Sequence, residues 1–196
     1  ADAVVAEQGG ADVVIVKGWE GGGHISVEAT TVLVPQAADK ITIPLVASGG
    51  IADGRGMAAA IALGAEGIEM GTIFMAASES TVHPNVRKSV IEAGDMSTVI
   101  TGQCTGEPCR QFKNQLSDEM DEIEANNTRA VAAEKLKSIA ESSLKRAMME
   151  GDMERGAVMA GQIAPLITKE ESVAEIIDRV IAECKKCLQK IQSYEF

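Results

Sequence analysis

The stretch Val13-Val14-Ile15-Val16-Lys17-Gly18-Trp19-Glu20-Gly21-Gly22-Gly23-His24 decides how this chain is read. A β-branched run that ends in consecutive glycines is a short strand followed by bare backbone. The run is continuous rather than alternating, which predicts a strand buried on both faces, as in a parallel sheet. Backbone without Cβ atoms can approach a phosphate or a flat ring closely. His24, one of only two histidines, follows at once. Imidazole suits proton transfer near neutral pH, so the stretch reads as the mouth of a cofactor site. On the residues alone, His24 could equally be a ring that hydrogen-bonds a loop.

Downstream the same pattern returns twice. Pro44 opens the strand Leu45-Val46-Ala47-Ser48, which ends in Gly49-Gly50-Ile51, and Gly67-Ile68-Glu69-Met70 ends at Gly71-Thr72. Between them, Glu28 to Asp39 reads as a helix with Val32, Leu33 and Ala37 on one face. A second helix runs through Met57, Ala58, Ile61 and Leu63 and stops at Gly64. Strand and helix alternate at about 25–30 residues per unit, which predicts a parallel sheet with helical crossovers. Ligands of such folds sit at the carboxyl ends of the strands. Gly21–His24, Ser48–Gly50 and Gly71–Thr72 mark those ends. Each alone is an ordinary turn; together they match a phosphate cradle of backbone N–H groups, with the Thr72 hydroxyl as one more donor. Glu20 is expected to orient His24 or to pair with a lysine. Glu69 reaches the rim if the register is as drawn, and Met57, Met70 and Met75 suit core packing or flavin contact. No G-x-G-x-x-G follows a strand and no P-loop lysine is present, which leaves a Rossmann or P-loop site unsupported.

Past Thr72 the strand pattern stops. Glu79 to Gly94 reads as a surface helix entered through His83-Pro84-Asn85, with His83 as a helix-entry residue. Residues 98–116 read as irregular, and 117–128, acidic and polar, as a solvated helix or linker. Ala132 to Glu150 reads as one helix carrying Leu136, Ile139, Leu144 and Ala147, broken by Gly151-Asp152. A long final helix carries the apolar stripe Val173, Ile176, Ile177, Val180, Ile181, Cys184, Leu188 and Ile191, a core or partner face. Three parallel strands leave an exposed edge. They are either the closing part of a barrel or a small open sheet.

Composition narrows the class. The 196 residues carry a formal net charge of −11 and are 45% hydrophobic, enough chain for one ordinary domain with a core. The acidity argues against a nucleic-acid surface, which needs clustered Lys and Arg. No apolar run approaches the ~18 residues of a membrane span, so the expectation is a cytoplasmic protein without a membrane partner. The chain opens on Ala1-Asp2-Ala3-Val4, as if inside a helix, so a missing N-terminal part is expected. Cys104 and Cys109 stand in a Gly/Pro-containing loop and Cys184 and Cys187 in a helical segment. Without knuckle turns, they read as reduced thiols rather than metal ligands.

Assembled, these residues make the chain resemble the nitronate monooxygenase family, formerly 2-nitropropane dioxygenases, which includes the FMN-dependent enoyl-acyl-carrier-protein reductases of type II (FabK type). The matching pieces are Glu20-Gly21-Gly22-Gly23-His24, Val46-Ala47-Ser48-Gly49-Gly50-Ile51-Ala52-Asp53-Gly54-Arg55-Gly56 and Leu63-Gly64-Ala65-Glu66-Gly67-Ile68-Glu69-Met70-Gly71-Thr72-Ile73-Phe74. His83-Pro84-Asn85, Lys113-Asn114-Gln115 and Met159-Ala160-Gly161-Gln162-Ile163-Ala164 extend the match over nearly the whole chain. The resemblance implies an α/β fold: the C-terminal part of a TIM-like (β/α)8 barrel, parallel strands six to eight, with a helical C-terminal region. Residues 1–97 would be that part of the FMN-binding barrel, 98–150 a helical insertion and 151–196 a C-terminal helical segment packing back on it. The N-terminal half-barrel would be missing. By resemblance, Gly22 and Gly23 lie against FMN, Gly49, Gly50, Gly71 and Thr72 cradle its phosphate, Glu69 and Met70 adjoin, and His24 is the catalytic histidine. No metal is implied, and a homodimer is allowed.

The chain departs from the family pattern at Gly21 (usually alanine), Lys17 and Glu69 (often glutamine) and Ile73 (often arginine). FMN binding stays expected, while the substrate, a small molecule or an acyl thioester, is left open. The stretch from Gly151 to Ser172 leans slightly toward the reductases, in which NADH or NADPH reduces FMN and an enoyl thioester takes the hydride. The alternative is oxidation of an alkyl nitronate with O₂. Two readings from other classes stand beside these: a non-catalytic remnant, and a barrel phosphate-binder of aldolase or synthase type with Lys17 as its Schiff-base lysine.

Overall fold

The computed structural model describes residues 2–195. In chain order the elements are α1 (Asp2–Gln8), β1 (Val14–Lys17), β2 (Gly23–His24), α2 (Thr30–Ala38), β3 (Leu45–Ser48), α3 (Gly54–Ala62), β4 (Gly67–Glu69), α4 (Thr72–Met75), α5 (Pro84–Ile91), β5 (Thr98–Thr101), β6 (Cys109–Phe112), α6 (Gln115–Asn126), α7 (Arg129–Ala140), α8 (Ser143–Met148) and α9 (Val173–Gln192). The chain divides into two compact units. One takes the residues up to Glu20, Ser26–Met70 and those from Glu171; the other takes Gly21–Ile25 and Gly71–Glu170.

The first unit is α/β. Its three-stranded sheet runs β1-β3-β4, all parallel, with Val14 opposite Leu45 and Val46 opposite Gly67. The core gathers Val14, Val16, Val34, Ala37, Leu45, Ala47 and Ile51, with Val34 and Ala47 fully enclosed. A buried Val or Leu side chain stabilises by about 1.5–3 kcal/mol, so this cluster holds strands and helices together. Three expectations are corrected here. β1 is an edge strand packed on one face: Val14 and Val16 are buried while Ile15 remains 54% exposed. On α2, Ala37 is buried and Leu33 packs against the core as expected, but Thr30 and Val34 join them and Val32 is exposed, because helical spacing puts it on the outside. On α9 the buried line narrows to Ile176, Val180 and Cys184, and Ile177, Ile181 and Ile191 are exposed.

The inner face of α3 is made of small residues, Gly54, Ala58 and Ala60, which lets neighbours come close. A Cβ on Gly54 would overlap the backbone at Glu183 and Cys184, so α9 packs on α3 almost backbone to backbone.

The second unit holds what the sequence reading left irregular. β5 and β6 form an antiparallel ladder, and β2 joins β6, giving a three-stranded sheet of order β2-β6-β5. Strands thus do occur past Thr72, and His24 sits in one rather than in an open loop. The cause is tertiary: Gly23 and His24 gain their partners, Arg110 and Cys109, from far along the chain, and Cys109-Arg110-Gln111-Phe112 shows no apolar alternation. The stretch expected as one helix over 132–150 is α7 and α8, parted at Ser142, whose φ of 58° is left-handed; Leu144 is consequently exposed and Leu136 and Ala147 buried. The acidic stretch is helical, as α6, and turns Leu116 and Met120 inward against Leu136 and Ala157.

Candidate functional site

In the second unit, motifs spread widely along the sequence meet at the segment Met159-Ala160-Gly161. The glycine stretch arrives first. A Cβ on Gly22 would lie 2.7 Å from the Ala160 carbonyl carbon and 2.8 Å from Met159 O, so only glycine allows this backbone approach. Gly23 has φ +73°, in the left-handed region, and turns the chain into β2. His24 pairs with Cys109, Ile25 N–H donates to Pro108 O at 3.3 Å, and the His24 side chain stands exposed at the strand's end. Backbone pairing fixes the position of His24 while its ring is accessible.

The Gly71–Thr72 stretch reaches the same segment. Gly161 N–H donates to Thr72 Oγ1 at 2.9 Å, and Thr72 is buried. Its oxygen is thereby engaged as an acceptor, and the hydroxyl proton remains to be donated. Beside it, Gly71 has an ordinary helical conformation, and a Cβ there would meet nothing within 4 Å. An exposed glycine beside a threonine hydroxyl is a pair that could hold a phosphate-bearing group. The Lys113-Asn114-Gln115 stretch holds the residues that lead into this segment. Asn114 caps α6 and donates through Nδ2 to Met153 O and Gly156 O, at 3.0 and 2.8 Å. Phe112 N–H then donates to Val158 O at 2.9 Å.

His83, as expected, is a helix-entry residue: its Nδ1 accepts the Asn85 N–H at 3.2 Å at the start of α5. Gly151 leaves room for its ring, and Asn85 Nδ2 donates to Gly151 O at 2.9 Å.

In the first unit the strand ends are tied together by a residue that the sequence reading missed. Thr30, first residue of α2, gives its N–H to Glu20 Oε2 at 3.0 Å, and its hydroxyl lies 2.9 Å from Glu20 Oε2 and 3.0 Å from Gly49 O. Glu20 is therefore engaged at the start of a helix, not with His24 or a lysine; a carboxylate suits that position because the first amides of a helix lack intrahelical acceptors. Gly18 donates its N–H to Ser48 O at 3.0 Å, which joins the loop after β1 to the end of β3. Gly49 and Gly50 both take positive φ, 90° and 74°, conformations natural to glycine. Ser48 is level with Glu69 across the ladder, and its hydroxyl donates to Glu69 Oε1 at 3.0 Å. Glu69 is thus an exposed carboxylate at the end of β4, while Met70 packs against the core.

The thiols are held in their protonated form where burial acts: Cys104 and Cys184 are both raised above the ordinary thiol value, mainly by desolvation. Among the described residues no group of three or more His, Cys, Asp or Glu could hold a metal ion, and no helix is long and apolar enough to cross a membrane.

Comparison of sequence and structure shows which known proteins the chain resembles. The profile of the family described as nitronate monooxygenase matches residues 1–183. A (3aS,4S,5R,7aS)-5-hydroxy-7a-methyl-1-oxo-octahydro-1H-indene-4-carboxyl-CoA dehydrogenase of Rhodococcus jostii is 31% identical, over 90% of this chain and 60% of its own length. A protein named probable nitronate monooxygenase from Bacillus subtilis is 29% identical, over 93% of this chain and 54% of its own. Among solved structures, FabK of Thermotoga maritima superposes with a TM-score of 0.93 at 42% identity, covering 98% of this chain and 60% of that one. Nitroalkane oxidase of Streptomyces ansochromogenes superposes at 0.79 and 28%, covering 96% and 56%. The chain spans between 54% and 60% of the length of these two curated relatives.

Proposed function

Because the chain belongs to the nitronate monooxygenase family of oxidoreductases, we propose that it is the C-terminal part of an FMN-dependent enzyme that reduces 2-enoyl thioesters at the expense of NADH or NADPH. The observation that carries the cofactor is the pairing of open Gly71 backbone with the Thr72 hydroxyl, whose oxygen is already engaged by Gly161 N–H. Residues of the first unit proposed to hold FMN are Gly49, Gly50, Glu69 and Met70; those of the second are Gly22, Gly23, Gly71 and Thr72. The N-terminal strands of the barrel, absent from this sequence, would complete the enzyme.

When bound, FMN supplies reversible hydride and electron transfer, which no side chain of this chain provides. The chain's own residues do the remaining work. Gly71 N–H and the Thr72 hydroxyl would hold the FMN phosphate, and Thr72 keeps its orientation through Gly161. Gly22 serves first to let the glycine stretch lie on Met159-Ala160, which sets where Gly23 and His24 stand. His24, fixed by β-pairing and exposed, gives or takes a proton at the substrate.

The preference for thioester reduction rests on the 42% identity with FabK and on a carboxyl-CoA dehydrogenase among the relatives. Nitronate oxidation with O₂ is the second reading, favoured by the Bacillus and Streptomyces relatives. The full-length protein should be mixed anaerobically with NADH, then with an enoyl thioester, and separately with an alkyl nitronate under air. Bleaching of the flavin by NADH followed by reoxidation with the enoyl thioester is expected. A flavin that NADH leaves oxidised, in a protein that turns over the nitronate, removes the reductase reading.

A further inference from the structure

We infer that Glu183, on the C-terminal helix, is a positioning residue for the Gly49–Asp53 loop and so for FMN affinity, an inference that rests on the FMN reading above. It begins with the accounting of amides at the start of α3. The first N–H groups of a helix have no intrahelical acceptor. Here Gly54 N–H donates to Glu183 Oε2 at 3.0 Å, across 129 residues of sequence. Arg55 and Gly56 N–H donate to Asp53 Oδ1 at 2.9 and 3.3 Å, and Met57 N–H donates to Asp53 O at 3.1 Å. Each of these amides has an acceptor, and two of the acceptors are carboxylates. The start of α3 consequently has no backbone N–H left to offer an anion. In this unit the amides that remain for a phosphate are those of the loop before it.

That loop must then be held in place by something other than its ligand. Gly49 and Gly50, with positive φ, are the least constrained residues of the chain here, and the loop continues into buried Ile51 and Ala52. Its upstream end is tied to Thr30, whose hydroxyl lies 3.0 Å from Gly49 O. Its downstream end is tied to Glu183. Both oxygens of Glu183 are engaged: Oε2 by Gly54 N–H and Oε1 by Arg179 at 3.5 Å. Arg179 is in turn fixed on Glu171 by Nε at 3.0 Å and by its terminal nitrogen at 2.9 Å. The chain Glu171–Arg179–Glu183–Gly54 ends at the loop, and the absence of a Cβ on Gly54 lets α9 come near enough for the bond.

The test compares E183A, E183Q and the packing control C184A in the full-length protein, by FMN titration with flavin fluorescence, at a temperature where all are folded. Glutamine keeps an acceptor for Gly54 N–H, whereas alanine keeps none. E183A is expected to bind FMN about tenfold more weakly, E183Q to stay within about twofold of the parent, and C184A to lose thermal stability without losing FMN. Equal FMN affinity in E183A and the parent, or equal weakening in C184A and E183A, overturns the inference. Hydrogen exchange at Gly49–Gly54 without FMN is read in parallel, with about tenfold faster exchange expected in E183A. Unchanged exchange overturns the positioning role on its own. A parent protein that takes no FMN, with faster exchange in E183A, overturns the FMN reading and the affinity claim while the loop-holding role of Glu183 stands.

Discussion

The two units treat their glycines in opposite ways. In the parallel sheet of the first unit, Gly49 and Gly50 serve conformation: both have positive φ, and side chains from neighbouring elements, Thr30 and Glu183, tie down the loop they form. In the second unit Gly22 serves packing, since backbone fills the place of its missing Cβ, and Gly71 serves neither, since the corresponding place is open. Gly71, with neither a conformational nor a packing reason, is the glycine whose proposed ligand role stands alone, whereas Gly22, Gly49 and Gly50 carry a structural duty beside theirs. That distinction could not be made from the three glycine-bearing stretches as sequence, where all looked alike.

The largest expected effect lies with His24. Its position is secured by pairing with Cys109, so His24→Ala should leave the fold and FMN binding intact and lower turnover by about 10²–10⁴-fold, as steady-state kinetics would show. Unchanged turnover would move proton transfer to another group. Next comes a contrast within the second unit. Gly22→Ala forces a methyl against Met159 and Ala160 backbone and should cost about 1–3 kcal/mol of stability in thermal or denaturant unfolding. Gly71→Ala should change stability by no more than about 0.5 kcal/mol, yet weaken FMN binding about tenfold. If the two variants behave alike in both assays, the separation of packing from ligand glycines fails.

The smallest effect is one of pH. Burial pushes the Asp53 carboxyl up, but the Arg55 guanidinium and the amides of Gly56 and Arg55 outweigh it and hold the group below its ordinary value of 3.8. A depressed folded value means that Asp53 contributes stability above the unfolded value and loses it as pH falls through the folded one. Unfolding of the parent should therefore steepen with acid below about pH 4 more than that of Asp53→Asn, measured by chemical denaturation across that range. Parallel curves would show that the cap contributes nothing.

Much of the first unit was legible because its signals are local. β-branched runs, glycine ends and a period near that of strand–helix repeats lie within a few residues of each other, and Leu45–Ser48 and Gly67–Glu69 pair as parallel strands, as read. Faces were less legible: which of Val32 and Val34 turns inward depends on where α2 starts, and Thr30 at its first position fixes that. In the antiparallel sheet of the second unit the β-branched run Thr98-Val99-Ile100-Thr101 could have marked β5, but Gly23-His24 and Cys109–Phe112 carry no alternation and find each other only in the folded chain. The single helix read over 132–150 failed at Ser142, a residue with no sequence signal for a left-handed conformation. For the site, the motifs marked Gly22, Gly71 and Gly161, but not that one segment, Met159–Gly161, receives the others. Thr30 could have been suspected as a polar residue opening a helix after a glycine-rich loop. Glu183, 129 residues from Gly54, could not.

The proposal of a flavoenzyme stands most directly on FMN binding by the full-length protein. Titration of the purified, flavin-free protein with FMN should quench flavin fluorescence to a sharp end point at one FMN per chain and leave a yellow protein after desalting. A protein that quenches no flavin and elutes colourless after incubation with excess FMN would contradict it.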